Sequence, residues 1–151
     1  MHKSVSCKCG GLVCWRDIYS DETLKEMDKN YPDSFVIPNY VKKIGKNAFS
    51  MREYKPGGPP KKVTIPGSVT KIGDRAFYNT PLEEVTISDG VEKIGKETFV
   101  NTPLEEVTIP NSVKSIGKEA FFGTALTDVT ISKNTKIKDD TFPSEVTINR
   151  V

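Results

Sequence analysis

Val63-Thr64-Ile65-Pro66-Gly67-Ser68-Val69-Thr70-Lys71-Ile72-Gly73-Asp74-Arg75-Ala76-Phe77 decides the fold, because its opening returns at a fixed interval. Val85-Thr86-Ile87, Val107-Thr108-Ile109 and Val129-Thr130-Ile131 each start 22 residues after the one before. Self-similarity with a period of about 20 to 50 residues marks a solenoid. Upstream, Phe35-Val36-Ile37-Pro38 with Ile44-Gly45 and Ala48-Phe49 is an earlier copy, displaced by a six-residue insertion before Val63. Downstream, Val146-Thr147-Ile148 follows after 17 residues as a truncated copy. The array is therefore about five 22-residue repeats and a final strand over residues 34–151, preceded by a small amino-terminal cap over residues 1–33.

Within a unit, Val85-Thr86-Ile87 alternates with period two and is β-branched, which predicts a short strand with Val and Ile inward and Thr outward. Val91, Ile94 and Phe99 form a second apolar set on the segment that returns to the next strand. Phe49, Phe77, Phe99, Phe121 and Phe142 align as an internal aromatic column. Gly45, Gly73, Gly95 and Gly117 mark a bend where either a Cβ does not fit or φ is positive. One unit buries too little to fold alone, so stacked neighbours and the hydrogen bonds between their strands must supply the rest. The expected sheet has six parallel strands about 4.8 Å apart.

The pattern Leu82-x-x-Val85-x-Ile87 followed by Val91-x-x-Ile94-Gly95-x-x-x-Phe99 resembles the BspA-like (treponemal-type) leucine-rich repeat family over about residues 34 to 151. The resemblance implies a repeat solenoid with short parallel strands on its concave face. It also implies a non-catalytic, surface or secreted protein that binds other proteins or adheres to hosts. Two departures stand out: Thr80, Thr102 and Thr124 occupy positions where the family often has cysteine, and no export signal is visible behind Met1-His2-Lys3. The missing signal points instead to an intracellular inhibitor or adaptor that occludes one target protein.

The 22 Lys and Arg against 20 Asp and Glu leave a net charge of +2, so charged surfaces must arise by segregation. Outward from the strands, Lys62, Glu84, Glu106, Asp128 and Glu145 form one rank and Thr64, Thr86, Thr108, Thr130 and Thr147 a second. Pro66, Ser88, Pro110, Ser132 and Asn149 form a third. Glu84, Thr86, Ser88, Glu106, Thr108, Asp128, Thr130 and Glu145 are the candidate partner-binding residues of an acidic strand face. The same residues also suit a merely soluble sheet surface, since Thr favours strands and charges keep edges apart. Lys43, Lys71, Lys93 and Lys136 line the return segment, without the interleaved aromatics that base stacking needs, so nucleic acid is not an expected partner.

The insertion over residues 51–62 offers Arg52, Tyr54 and Lys55 as a second anchor, because insertions in repeat arrays map to loops. His2, Cys7, Cys9 and Cys14 place four nitrogen and sulfur ligands within thirteen residues, enough for a tetrahedral zinc site. The alternatives are free or buried thiols, or one disulfide with a spare thiol. With His2 as the sole histidine and no glycine-rich phosphate loop, the chain is not expected to be an enzyme or to need a cofactor beyond that zinc. No apolar run approaches membrane-spanning length. The open edge of the last strand offers a route to a homodimer or a self-assembling scaffold.

Overall fold

Alternation of a β-branched residue with a polar one makes a strand that is dry on one face and wet on the other. The computed structural model describes residues 34–50 and 60–151. Among them the strands in chain order are β1 (Ser34–Val36), β2 (Lys43–Ile44), β3 (Lys62–Ile65), β4 (Lys71–Ile72), β5 (Glu84–Ile87), β6 (Lys93–Ile94), β7 (Ser115–Ile116), β8 (Asp128–Ile131) and β9 (Thr147–Arg150). The expected amino-terminal cap over residues 1–33, with its candidate zinc ligands His2, Cys7, Cys9 and Cys14, and the loop residues Arg52, Tyr54 and Lys55 lie outside the described residues. No helix of the described residues is long and apolar enough to cross a membrane.

The longer strands form one wall of the solenoid and the two-residue strands another. β1, β3 and β5 pair in parallel, with Phe35 beside Val63, Val63 beside Val85 and Ile65 beside Ile87, so that these side chains point into the same interior. On the second wall β2, β4, β6 and β7 run without interruption and continue through a bridge from Ser115 to Lys136. Their Ile44, Ile72, Ile94 and Ile116 are buried opposite the longer strands.

A third wall contains no strand, yet it is laterally hydrogen bonded at every coil. Arg75, Phe77 and Asn79 donate their N–H groups to the carbonyls of Lys96, Thr98 and Val100, at 2.9 Å each. Glu97, Phe99 and Asn101 repeat the pattern onto Lys118, Ala120 and Phe122. Asn47, Arg75, Glu97 and Glu119 have φ between 54° and 59°, as do Asn79 and Asn101 at 53° and 56°. These left-handed residues punctuate a turn that aims alternate N–H groups along the stacking axis. The phenylalanines between them stack face to face, with centroids 4.9, 5.4, 5.1 and 5.0 Å apart from Phe49 through Phe142.

The glycines at the bend are explained by space. A Cβ on Gly73 falls 2.7 Å from the carbonyl carbon of Gly45, and one on Gly117 falls 2.6 Å from the amide of Lys96. Neither glycine has a positive φ; consecutive coils simply touch there, backbone to backbone. Thr80, Thr102 and Thr124 donate hydroxyl hydrogen bonds of 2.8 to 2.9 Å to the carbonyls of Phe77, Phe99 and Phe121, which tie each corner to its own aromatic rung.

Two expectations about the first wall are corrected. The single six-stranded sheet is split, because no backbone hydrogen bond joins Glu105–Ile109 to either neighbour, although Ile109 remains buried and Val107 packs on the core. The last strand is also shifted: Asp128 pairs with Thr147 and Val129 with Ile148, a 19-residue separation where likeness of sequence suggested 17. A slip of two residues preserves which side chains face in, so the period-two pattern does not oppose it. Pro143 and Val146 close a turn just before the strand, and Glu145 belongs to that turn rather than to the sheet.

Candidate interaction face

The candidate residues are positioned by the outward phase of the long strands. Glu84 and Thr86 on β5 and Asp128 and Thr130 on β8 are all exposed, because Val85, Ile87, Val129 and Ile131 take the inward phase between them. Ser88 is half buried at the turn after β5, where its N–H donates to the Ile65 carbonyl at 3.0 Å. Glu106 and Thr108 are exposed on the split segment. Glu145 is exposed too, but Thr147 occupies the place beside Asp128 that the sequence assigned to it.

The rank is not uniformly acidic. Lys62 lies beside Glu84 in the sheet register and pairs with it at 3.2 Å, and Lys61 pairs with Glu83 at 3.7 Å. Both pairs are about half exposed, and such surface pairs contribute little, about 0 to 1 kcal/mol. Their consequence is electrostatic: the upstream half of the face is locally neutralised. Among the described residues Glu105 and Glu106 have no ion pair, and Asp128 accepts a side-chain hydrogen bond only from Thr127, at 3.1 Å. Free carboxylates therefore concentrate on the downstream half, next to the exposed threonines Thr108 and Thr130. Val36, in register with Thr64, gives the upstream end an exposed apolar residue instead.

A second polar constellation lies on the third wall, where sequence reading looked for none. Glu97 is buried, its side chain 12% exposed, and it pairs with both Arg75 and Lys96. The hydrogen bond from Arg75 holds its carboxyl below the usual carboxylate range; burial acts in the opposite direction, and Lys96 adds to the lowering. The same bond holds the Arg75 guanidinium above its ordinary value. Arg75 also stands 5.7 Å over the Tyr78 ring. This cluster bridges adjacent coils, with Arg75 and Glu97 at left-handed backbone positions.

Comparison with known proteins agrees with the geometry. The family model described as a BspA type leucine rich repeat region matches residues 27–149 with six copies. A leucine-rich repeat protein from Bacteroides ovatus is 29% identical at a TM-score of 0.65, covering 78% of this chain and 33% of its own. A leucine-rich cell surface protein from Faecalibacterium prausnitzii is 27% identical at a TM-score of 0.68, covering 78% and 32%. The pneumococcal vaccine antigen PcpA is 26% identical at a TM-score of 0.57, covering 70% and 30%. The chain thus spans about a third of the length of the solved chains it matches. No curated protein matches its sequence.

Proposed function

Because the chain belongs to the BspA-type leucine-rich repeat family, we propose that it is a non-catalytic protein-binding module of the adhesion type. Its contact surface is the downstream half of the long-strand wall. The observation that carries this reading is the run of carboxylates without cation partners among the described residues at Glu105, Glu106 and Asp128, interleaved with the exposed Thr108 and Thr130 on the downstream half of that wall. Such a surface suits a partner with a basic patch, and charge complementarity there sets the encounter rate and the choice of partner more than raw affinity. A likeness to a cell surface protein supports a surface role, in which the partner is a host or matrix protein. An intracellular target would be occluded by the same face.

The test is affinity capture from the source cell and from its surroundings, followed by a binding isotherm with the purified partner. The wild type is compared with Glu106→Lys/Asp128→Lys. Loss of binding at unchanged circular dichroism supports the face. Retention of the same partner with the same affinity overturns it.

A second reading concerns self-association. All four residues of β9 are exposed, and Ile148 and Val151 are 39% and 67% exposed beside an edge that pairs only with β8 among the described residues. We propose that a homodimer forms through this edge. Light scattering at rising concentration should show a dimer that Ile148→Lys abolishes; a monomer throughout overturns it.

A further inference from the structure

The wall of two-residue strands carries a feature that the protein-binding face does not use. In the register of β2, β4 and β6, Lys43 lies beside Lys71 and Lys71 beside Lys93; the row then passes through Ser115 on β7 to Lys136 at the bridge. Like charges directly opposite one another on neighbouring strands are destabilising. The four lysines of the row are nevertheless exposed, and none of them has an ion-pair partner among the described residues.

The neighbouring acids do not supply one. Glu92 pairs with Lys114, Glu97 with Arg75 and Lys96, and Glu119 and Asp140 both with Lys118. Asp74 accepts the backbone N–H of Lys96 at 2.8 Å. Ion pairs thus engage Glu92, Lys114, Lys96 and Lys118 beside the row, whereas its own four lysines stay unpaired among the described residues.

We propose that this lysine row binds a linear acidic polysaccharide laid along the solenoid axis. Parallel strands repeat about every 4.8 Å, so the row is a straight track of amines roughly 19 Å long, vacant only at the Ser115 rung. An extended acidic peptide repeats its same-face side chains about every 6.8 Å and falls out of phase with that track within a few rungs. Single-stranded nucleic acid is held by aromatic platforms as well as by charge, and the row and its sequence neighbours contain no aromatic residue. Lysine rather than arginine throughout means point charges on flexible stems, suited to anions that vary in orientation from sugar to sugar, not to a bidentate fork. Because the row stands on a different wall from Glu106 and Asp128, the two surfaces are chemically separate.

The test uses fluorescently labelled polygalacturonate and titrates wild type, Lys43→Gln/Lys71→Gln/Lys93→Gln, and the control Lys61→Gln/Lys62→Gln/Lys133→Gln, which removes the same charge elsewhere. At about 50 mM salt the row variant should lose roughly tenfold in affinity, and its log–log salt slope should fall by about 2, while the control changes less than about threefold. A wild type that fails to bind the probe at low salt, or equal losses in both variants, overturns the proposal. So does tighter binding of an oligothymidine or of phosphatidylserine vesicles than of polygalacturonate. Circular dichroism guards against misfolding, and the row variant should melt no lower than wild type because it removes only repulsion.

Discussion

The aromatic column is the part of the fold whose energetics can be worked from geometry. Phe99 is fully buried and stacks on Phe77 at 5.4 Å and on Phe121 at 5.1 Å. Truncation of a buried phenylalanine to alanine costs about 3 to 5 kcal/mol. Each aromatic pair lost adds about 0.5 to 1.5 kcal/mol beyond the buried area. Phe99→Ala loses two such pairs at the centre of the stack, so the expected cost is about 4 to 8 kcal/mol, comparable with the whole stability of many domains. Phe142→Ala loses one pair, with Phe121 at 5.0 Å, at a site 6% exposed. It should therefore cost roughly 0.5 to 1.5 kcal/mol less. Position has a further consequence, because stability in a solenoid is a sum of units and nearest-neighbour interfaces. A break at Phe99 separates the coils before it from those after it, so urea unfolding followed by far-ultraviolet circular dichroism should broaden as well as shift. Phe142→Ala should shift the midpoint and leave the slope unchanged. Equal costs for the two variants, or a cost below about 2 kcal/mol at Phe99 with an unchanged slope, would refute a continuous column that couples the coils.

Gly95→Ala places a Cβ 2.7 Å from the Asp74 amide and 2.8 Å from the Gly73 carbonyl carbon, and should lower stability by about 1 to 3 kcal/mol in the same urea titration. Thr102→Val keeps the volume but removes the hydroxyl that donates to the Phe99 carbonyl at 2.8 Å; a loss of about 1 to 3 kcal/mol is expected, and none if water replaces the donor freely. Stability should fall on acidification through Glu97. Its folded pKa lies below its unfolded value, so its contribution is present above the unfolded value of about 4.3 and is lost as pH falls through the folded value. Glu97→Gln should flatten thermal stability against pH in that acidic window, and an unchanged profile would show that the buried pairing is not linked to folding.

What the sequence disclosed follows from what a stack repeats. Columns such as Val63 and Val85, or Phe77, Phe99 and Phe121, meet their own kind from coil to coil, so recurrence in sequence is contact in space. The third wall was less legible, because Arg75, Glu97 and Glu119 are poor advertisements for a left-handed backbone. A signal did exist in the companion column, where Asn79, Asn101 and Gly123 are residues that adopt positive φ readily. The split at Glu105–Ile109 is not visible in the strand residues themselves. Val107-Thr108-Ile109 repeats Val85-Thr86-Ile87 letter for letter, and strand pairing depends on how neighbouring coils approach rather than on the strand itself. The candidate face was half legible: outward phase gave the exposed residues, but pairing in the register, Lys62 with Glu84, decided which carboxylates stay unpaired among the described residues.

The two proposed surfaces yield a last prediction that neither yields alone. The free acids on one wall and the lysine row on another belong to layers about 10 Å apart across one core. At physiological ionic strength the screening length is about 8 Å, so charges on the two walls barely sense one another; at about 10 mM it is near 30 Å and they do. Glu106→Lys/Asp128→Lys adds positive charge to the molecule without touching the row. Its affinity for polygalacturonate should therefore match wild type at physiological salt and exceed it at low salt. A gain that persists at high salt would mean that the polyanion contacts the long-strand wall as well. A loss at any salt would mean that the carboxylates help to hold it, and the separation of the two faces would have to be given up.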